Sequence, residues 1–581
     1  MAENERSSAL RSLVKYAKQY KGLFGLSMVF ALISVAATLY APILIGDAVD
    51  LIVGKGKVNF HGLVPILIKL GLAVGATSLC QWLMSVCTNK ITFNVVRDLR
   101  NDAFSKLNKL PLSYIDSHSH GDVISRVITD IDQISDGLLM GFAQLFTGIC
   151  TIFGTLIFML TINVRISLIV VLLTPLSLFV ARFISRNTFA LFHAQSVARG
   201  ELTDIVEEMT GNRKTVAAFG YEEEAQQRFD VLNRRLQTVG VKAIFFSSLT
   251  NPCTRFVNGL VYTSVGIVGA LAVMGGGFTV GNLSSFLTYA NQYTKPFNEI
   301  SGVITELQSA LASAKRVFDL MRETEEVSDE NSKVLTKADG RVDIDHVYFS
   351  YDPKVKLIED FNLSVRSGER TAIVGPTGCG KTTIINLLMR FYDTDKGEIR
   401  VSGEAVRSLT RSSMRSQYGM VLQETWLKTA TIRENILYGK PDATEEEMIR
   451  ASKQAHCHGF IKRLPKGYDT VVSDAFSTLS AGQKQLLCIA RVMVSLPPML
   501  ILDEATSSID TRTEMVIQRA FADMMKGRTS FIIAHRLSTI KEADNIIVMR
   551  SGHIIEQGTH DSLMAAGGFY CELYNSQFTQ D

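Results

Sequence analysis

The chain has 581 residues, a formal net charge of +3 at pH 7 and a hydrophobic content of 46%. One soluble core does not use this many residues, and the longest apolar runs lie in the first half, so the composition excludes a single soluble domain. It predicts two parts, one of them in lipid. The eight cysteines include no Cys-x-x-Cys pair, and no disulfide framework is expected. No nucleic-acid partner is expected.

Uncharged stretches occupy residues 22–46, 70–89, 137–163, 166–181 and 256–294. A helix needs about 20 apolar residues to cross a bilayer, so the first four stretches predict one spanning helix each and the last predicts two. Gly275-Gly276-Gly277 is a hairpin candidate between the last two spans. Arg255 falls at the start of the fifth span and is expected to face protein or water. The first half is therefore predicted to be an all-α membrane domain with six spanning helices.

The distribution of basic residues predicts the orientation. Arg11, Lys15, Lys18 and Lys21 precede the first span, whereas the short loops between spans carry few positive charges. The N-terminus is therefore expected to be cytoplasmic, in a multi-pass protein of the cell membrane. Residues 90–136 and 182–242 are charged and have helical periodicity, which predicts helices that continue into the cytoplasm. The first apolar run is too long for a cleavable signal and is interpreted as a span.

The composition changes again after the last span. Residues 324–340 are polar and charged and predict a linker between a transmembrane domain at 1–323 and a second domain at 341–581. Strand-like and helix-like segments alternate in the second domain, which predicts an α/β fold.

A phosphate-binding loop is the strongest single signal. The pattern G-x-x-x-x-G-K-[ST] is matched by Gly375-Pro376-Thr377-Gly378-Cys379-Gly380-Lys381-Thr382. An apolar strand precedes it and a helix follows from Thr383, which is the context that the motif requires. Backbone N–H groups would surround the phosphates, Lys381 would add a cation, and Thr382 would offer its hydroxyl to Mg²⁺. The second domain is therefore predicted to be an α/β P-loop domain that binds a nucleoside triphosphate.

A hydrophobic strand at residues 498–502 ends in two carboxylates, Asp503 and Glu504. Phosphoryl transfer requires charge neutralisation and a group that positions or deprotonates the attacking water. Asp503 is predicted to lie on the metal side and Glu504 to be the general base.

Leu479-Ser480-Ala481-Gly482-Gln483 precedes this strand and resembles the signature motif of ATP-binding cassette (ABC) transporters. The other motifs of that family follow in order: Tyr351, where an aromatic ring stacks on adenine, Gln423, the segment 507–510 that ends in Asp510, and His535. The resemblance implies ATP and Mg²⁺ as cofactors, with Thr382, Gln423 and Asp503 around the metal. It implies that Lys381, Glu504 and His535 are catalytic, and that Ser480, Gly482, Gln483 and Asp510 complete the nucleotide site.

The first half resembles the exporter type of the same family. Leu110-Pro111, Tyr114, Gly121-Asp122, Ser125-Arg126 and Asp130 are similar to the first cytoplasmic coupling segment, and residues 207–219 to the second. A solvated amphipathic helix is the alternative interpretation of both. The resemblance implies a half-transporter that pairs with a second half-transporter subunit.

The signature departs from the family at Ala481, where Gly is usual, and the Gly-rich segment before it is replaced by residues 473–478. This combination is similar to one half of the heterodimeric bacterial multidrug exporters. It implies one competent ATP site and one degenerate site, with the intact signature on the partner. A homodimer that tolerates Ala is the alternative.

The substrate is predicted from family analogy alone to be an amphipathic small molecule of the multidrug type. Asn258, Asn291, Gln292 and the aromatic residues of the fifth and sixth spans are candidates for the cavity wall or for interhelical packing. Asp47 and Asp50 are candidates for cation recognition or helix capping. A lipid or peptide exporter and an ATP-gated channel remain as rival functions.

Overall fold

The computed structural model describes residues 2–52, 58–423, 425–473, 479–503, 509–533 and 537–578. They form two compact units. The first consists of Met1–Lys109 and His118–Thr324, and the second of Leu110–Ser117 and Glu325–Asp581. The predicted fold class, a helical membrane domain joined to an α/β nucleotide-binding domain, is confirmed.

The described part of the first unit is helical. Its elements are α1 (Ala2–Lys18), α2 (Lys21–Asp50), α3 (Phe60–Leu107), α5 (His120–Val127), α6 (Thr129–Met140), α7 (Phe146–Ile162), α8 (Val164–Gly211), α9 (Arg213–Ala218), α10 (Glu222–Ser248), α11 (Thr250–Met274) and α12 (Val280–Arg322). A π-helical turn, Gly141–Leu145, joins α6 to α7. The short helix α4 (Leu112–Ser117) falls in the second unit.

Three helical stretches in the described ranges are long and apolar enough to cross a membrane: Lys21–Asp50, Phe60–Leu107 and Glu222–Met274, which joins α10 to α11. Phe146–Ile162 and Val164–Leu176 are shorter apolar helices. The predicted glycine hairpin lies between α11 and α12, where Gly276 has a left-handed φ of 76°. Six spans remain a prediction, because only these three stretches of the described residues are both long and apolar enough.

Helices α2 and α12 approach each other closely through glycine. A Cβ at Gly281 would lie 2.1 Å from the carbonyl oxygen of Gly46 and 2.6 Å from the Asp50 carboxylate. The Asp50 carboxylate accepts a hydrogen bond from the Gly281 backbone N–H at 2.7 Å, and the Ser285 hydroxyl donates to the Pro42 carbonyl at 2.6 Å. Lipid supplies no hydrophobic drive between helices, so close backbone approach and such bonds hold them together. Asp50 thus satisfies one backbone N–H in the first turn of α12, in addition to the N-cap residue Thr279.

The predicted coupling residue Asp130 lies inside the first unit. It is buried at the start of α6 and forms an ion pair with Arg316 of α12, whose Nε lies 2.8 Å from Asp130 Oδ2. A carboxylate this deep is stable only with a charged partner. Asp130 therefore joins α6 to α12.

The second unit contains three sheets. Its strands are β1 (Val342–Phe349), β2 (Ile358–Val365), β3 (Arg370–Val374), β4 (Lys396–Val401), β5 (Glu404–Ala405), β6 (Tyr418–Val421), β7 (Ala430–Thr431), β8 (Val471–Val472), β9 (Met499–Asp503), β10 (Thr529–Ile533), β11 (Asn545–Arg550) and β12 (His553–Gly558). The main sheet has the order β12-β11-β3-β10-β9-β6 and is parallel except for β12. An antiparallel sheet, β2-β1-β4-β5, and the pair β7-β8 complete the unit.

The second unit contains ten further described helices. They are α13 (Lys381–Leu388), α14 (Arg411–Arg415), α15 (Ile432–Leu437), α16 (Glu445–Gln454), α17 (His458–Ile461), α18 (Ala481–Ser495), α19 (Thr511–Met525), α20 (Leu537–Lys541), α21 (His560–Ala566) and α22 (Phe569–Phe578). The buried strands β3, β9 and β10 separate two apolar cores, one on the α18 side and one on the α13 side.

The predicted linker segment makes contacts with the second unit. Asp329 accepts hydrogen bonds from the backbone N–H of Arg411 at 2.6 Å and from its guanidinium at 2.7 Å, and Arg411 is buried. The Lys333 N–H donates to the Ser408 carbonyl at 2.8 Å. The charge of Asp329 thus finds its partner on α14. Residues 325–340 are accordingly packed on the second unit.

We expect Gly281→Ala to lower the stability of the membrane unit by about 1–3 kcal/mol, because the added methyl meets backbone atoms that cannot rotate away. Thermal unfolding of the purified protein in detergent measures the change. Gly266→Ala on α11 is the matched control, since its Cβ would meet nothing within 4 Å. Equal melting temperatures for the two variants would contradict the proposed close contact.

Candidate functional site

The parallel strands bring the predicted site residues to one edge of the main sheet. Ile533 of β10 pairs with Ile373 of β3 on one side and with Asp503 of β9 on the other. Val421 of β6 pairs with Leu502, so β6 ends at the same level. The carboxyl ends of parallel strands form the ligand crevice of open α/β sheets. The phosphate loop, Asp503 and Gln423 all lie at or just beyond these ends.

The loop after β3 requires its glycines. Gly378 and Gly380 have left-handed φ values of 82° and 102°, a region that favours glycine. A Cβ at Gly375 would lie 2.3 Å from the Met549 carbonyl oxygen, which is fixed backbone. Gly380 is the N-cap of α13, and Lys381 begins the helix. The loop therefore delivers a helix N-terminus, with its unpaired N–H groups, to the sheet edge.

Lys381 places its charge inside this loop. Its ammonium donates to the carbonyl oxygens of Gly375 at 2.7 Å and Pro376 at 3.0 Å. Cys379 beside it is buried, and burial raises the pKa of its thiol, so the side chain is a neutral filler beneath the loop. Pro376, Thr377, Gly378 and Thr382 are exposed. The open side of the loop thus carries backbone donors, a hydroxyl and one cation.

Tyr351 lies in an aromatic cluster near α13. Its ring meets Phe349 at 4.9 Å and Tyr392 at 5.0 Å between centroids, both edge to face. Asn386 of α13 donates to the Tyr351 hydroxyl at 2.9 Å. The side chain remains 49% exposed, which leaves area for a stacked base. This geometry fits the predicted adenine contact.

The same cluster reaches the first coupling segment. The Tyr392 hydroxyl donates to the Asp116 carboxylate on α4. Burial raises the pKa of Tyr392, and the bond to Asp116 raises it further. Tyr114 of α4 is also buried. Sequence reasoning assigned this segment to the first domain and missed the contact, since no pattern in the chain pairs Tyr392 with Asp116.

The signature residues begin α18. Ser480 is the N-cap, with its hydroxyl accepting from the Gln483 N–H at 3.3 Å while Gln483 Oε1 accepts from the Ser480 N–H at 3.1 Å. A Cβ at Gly482 would lie 2.4 Å from Thr513 Cγ2 of α19. Asp510 caps α19 and accepts from the Thr513 N–H at 3.0 Å, a bond that lowers the pKa of its carboxyl group. Gly482 and Asp510 therefore fix two helix starts side by side.

Comparison with known proteins gives a consistent result. A family model described as ABC transporter transmembrane region matches residues 24–297, and a model described as ABC transporter matches residues 358–507. A fatty acid ABC transporter ATP-binding/permease protein of Mycobacterium bovis is 42% identical over 529 residues, covering 90% of this chain and 84% of the relative. An ATP-dependent lipid A-core flippase of Syntrophus aciditrophicus is 34% identical over 100% of this chain and 96% of its own length.

The solved structure of a bacterial Atm1-family ABC exporter with ATP bound is also similar. It has a TM-score of 0.77 and 28% identity, and the match covers 97% of this chain and 98% of that one. The chain belongs to the ABC exporter family. It is a half-transporter with one transmembrane unit and one ATP-binding unit, and its family hydrolyses ATP to drive transport.

Some predicted residues of this ABC exporter lie outside the described residues. They are Glu504, the residues 507–508, His535 and most of the segment before the signature, 474–478. Their roles remain predictions. Asp503, which the structure does describe, ends β9 and is half-buried at the sheet edge.

We expect Tyr392→Phe to weaken coupling while leaving ATP binding nearly unchanged, because the ring still packs on Tyr351 but the donor to Asp116 is lost. A double-mutant cycle with Asp116→Ala, read out as substrate stimulation of ATPase activity, should give a coupling energy of about 1 kcal/mol. Tyr348→Phe, on the exposed side of β1, is the control. Additive effects of the two substitutions would show that the bond has no role in coupling.

Proposed function

We propose that this chain is one half of an ATP-driven exporter of amphipathic small molecules, of the multidrug type, in a bacterial cytoplasmic membrane. The observation that carries the proposal is the convergence of the phosphate loop, Asp503 and Gln423 at one sheet edge, in a chain with apolar helices of spanning length. The N-terminus and the nucleotide-binding unit would be cytoplasmic, with six spans per chain.

ATP would bind along the sheet edge. Tyr351 would stack on adenine, and the loop from Gly375 through Thr383 would hold the phosphates, with Lys381 neutralising charge. Thr382, Gln423 and Asp503 would each offer a side-chain oxygen, the ligand that Mg²⁺ prefers. Thr382 lies in the first turn of α13, Gln423 follows β6 and Asp503 ends β9. The metal would neutralise phosphate charge during transfer. Glu504 would orient and deprotonate the attacking water, and His535 would contact the γ-phosphate.

A second half-transporter would complete the site. Ser480, Gly482, Gln483 and Asp510 would face nucleotide bound by the other subunit, since the start of α18 offers N–H groups as α13 does. Phe219, at the end of the second coupling segment, is 83% exposed and so is available for contact with a partner. We infer that it docks on the partner's nucleotide-binding unit.

The partner would be a paralogue. Ala481 is the first residue of α18 and is exposed, so its methyl group points to the surface that a partner nucleotide would approach. The site capped by Ser480 would then hold ATP and hydrolyse it poorly. The competent site would combine Lys381, Asp503 and Glu504 with the partner's intact signature.

Binding of two ATP molecules would favour the closed dimer, and the coupling segments would pass this closure to the membrane helices. A ligand shifts such an equilibrium only through its different affinity for the two states. Hydrolysis at the Glu504 site would reset the transporter.

Export of lipids is a second candidate function. Its support is that the two relatives reported above are named for fatty acid and for lipid A-core, both amphipathic molecules. An ATP-gated channel is the rival from another class. Transport of a fluorescent amphiphile against its gradient in proteoliposomes separates a pump from a channel.

We expect Glu504→Gln to lower ATPase turnover of the purified complex about 100-fold or more, since loss of a general base typically costs this much, while ATP stays bound. Glu446→Gln on α16 is the control. Substantial turnover in Glu504→Gln would mean that Glu504 is not the base of the main site.

We expect Ala481→Gly to leave turnover unchanged in a heterodimer, because the site that it repairs would depend on the partner's catalytic carboxylate, which is weakened in the heterodimeric exporters that this chain resembles. In a homodimer both sites contain Ala481, and the substitution would raise turnover. Native mass spectrometry of the purified complex gives the independent answer. Two subunits of this chain alone would contradict the heterodimer.

A further inference from the structure

An apolar cavity of about 230 Å³ lies in the membrane unit between α2, α3, α7 and the π-helical turn. The Ser27 hydroxyl, which lines it, donates to the Phe24 carbonyl of its own helix at 2.8 Å. None of the described residues that line the cavity is charged, and most are apolar, among them Phe24, Met28, Ala31, Met84, Leu145 and Phe146. Apolar cavities of about 150 Å³ stay dry and bind benzene, so hydrocarbon is the chemistry that fits this one.

The cavity lies at one end of the apolar runs of α2 and α3. On α2 its first residue is Phe24, three positions after the helix begins at Lys21, and its last is Ala31. On α3 it ends at Thr88, next to the end of the uncharged run at residue 89. Ala31 is about 15 Å along α2 from Lys21, which is half the thickness of the hydrocarbon core. The cavity is therefore at the depth of the acyl chains of one leaflet.

A lysine precedes this cavity on the same face of α2. Lys21, Phe24, Met28 and Ala31 are separated by three, four and three residues, which is the spacing of side chains that share one helix face. Lys21 is exposed and lies about 4.5 Å along the axis from Phe24. A lysine at the end of a span keeps its ammonium in the head-group region while its methylene chain covers apolar surface. Lys21 thus lies between the cavity and the membrane surface.

Three more basic residues, Arg11, Lys15 and Lys18, precede Lys21 on α1, and all four are exposed. No Asp or Glu occurs three or four positions from any of them along the chain. Within the described part of the chain, none of the four side chains forms an ion pair or a hydrogen bond. The segment therefore presents four positive charges that the described residues leave uncompensated.

Two carboxylates of α3 that contact α1 have other partners. Asp102 accepts a hydrogen bond from the Tyr16 hydroxyl at 2.6 Å, and Asp98 accepts one from the Tyr20 hydroxyl at 2.7 Å. These two bonds hold one side of the α1 segment against α3. The basic side chains lie on the exposed side of α1 and have no such contacts.

The exposed side of α1 is also partly apolar. Leu10 and Val14 are 46% and 53% exposed, whereas Ala9 and Leu13 are buried in the core of the bundle. A helix that exposes both basic and apolar side chains is typical of a membrane interface. Basic clusters directly beside a span attract anionic lipid head groups. The basic segment and the apolar cavity therefore adjoin each other in the order in which a phospholipid carries its phosphate and its chains.

We propose that the cavity binds an acyl chain of an anionic phospholipid whose phosphate lies at Lys18 and Lys21. The ammonium groups donate charge-assisted hydrogen bonds to the phosphate oxygens. The lipid comes from the leaflet at the start of α2, which is the cytoplasmic leaflet in the proposed orientation. Its head group stays at the membrane surface, so this is a resident ligand that stabilises the corner of α1, α2 and α3, and not a molecule that is carried across.

The test uses the full complex in nanodiscs that contain equal amounts of dioleoyl phosphatidylcholine and dioleoyl phosphatidylglycerol. These lipids have the same chains and differ in head-group charge. Native mass spectrometry counts the lipids that stay bound when the complex is released. We expect phosphatidylglycerol to be retained at least fivefold over phosphatidylcholine, because each nearby basic residue favours an anionic lipid by about fivefold. Equal retention of the two lipids would overturn the proposal.

Substitutions at Lys21 test the head-group contact. Lys21→Gln should lower the retention ratio about fivefold, whereas Lys21→Arg should preserve it, since the charge is kept. Lys69→Gln, which removes an exposed lysine near the other end of α3, is the matched control. Lipids bound to a second subunit contribute equally to every variant and cancel in the comparison. The same ratio in Lys21→Gln and Lys69→Gln would overturn the placement of the phosphate.

A substitution inside the cavity separates a bound lipid from lipid that merely collects at a basic surface. Ala31→Leu adds three carbon atoms where the acyl chain would lie and should lower the number of phosphatidylglycerol molecules retained. Ala76→Leu, the same change at an exposed position of α3, is the control and should have no effect. Unchanged retention in Ala31→Leu would overturn the assignment of the cavity to an acyl chain.

The comparison of the two lipids on the wild-type complex needs no variant, so it decides the proposal even if a variant fails to assemble. Equal retention would overturn the lipid site while Glu504-dependent ATPase activity upheld the exporter. Turnover independent of Glu504 would overturn the proposed function, and selective retention of phosphatidylglycerol would still uphold the lipid site.

Discussion

The parallel pairing of β3, β10, β9 and β6 is the constraint on which the nucleotide-binding unit depends. Parallel strands end together, so residues separated by more than a hundred positions, such as Lys381 and Asp503, are brought to one edge without a specific bond between them. The strands are almost fully buried, and a register shift by one residue would turn Asp503 into the core. Hydrophobic burial of the strands thus fixes the register that places Asp503 at the sheet edge.

The membrane unit follows a different rule, because lipid is as apolar as leucine. Contact between α2 and α12 relies on small residues, Gly46 and Gly281, and on a carboxylate cap. Because the hydrophobic effect does not drive helices together in lipid, polar side chains inside the bundle indicate either helix packing or a binding site. Thr38, Gln81 and Gln292 line one cavity, whereas the aromatic residues Phe286 and Tyr289 are packed in the core of the bundle.

Much of the fold could be predicted from the sequence. The uncharged runs predicted the apolar parts of α2, α3, α7, α8 and α11, while their number of membrane crossings stays a prediction. The phosphate loop predicted its strand and helix, since glycine at Gly380 is required by a left-handed turn. The polarity of residues 324–340 predicted a linker but could not predict its contacts, because charge is compatible both with solvent exposure and with ion pairs such as Asp329–Arg411. The aromatic residues of the last two spans were candidates for the cavity wall or for packing, and Phe286 and Tyr289 are packed in the core.

The length of α3 has a mechanical consequence. Its 48 residues make a rod about 72 Å long. The hydroxyl groups of Tyr16 and Tyr20 donate to Asp102 and Asp98 on its last turns, at 2.6 and 2.7 Å, which braces it against bending. A tilt of about 5° at one end of such a rod displaces the other by about 6 Å, roughly one helical turn. A movement of several ångström at one end therefore needs only a slight rotation of the helix. The displacement per degree of rotation is set by the number of residues in the helix.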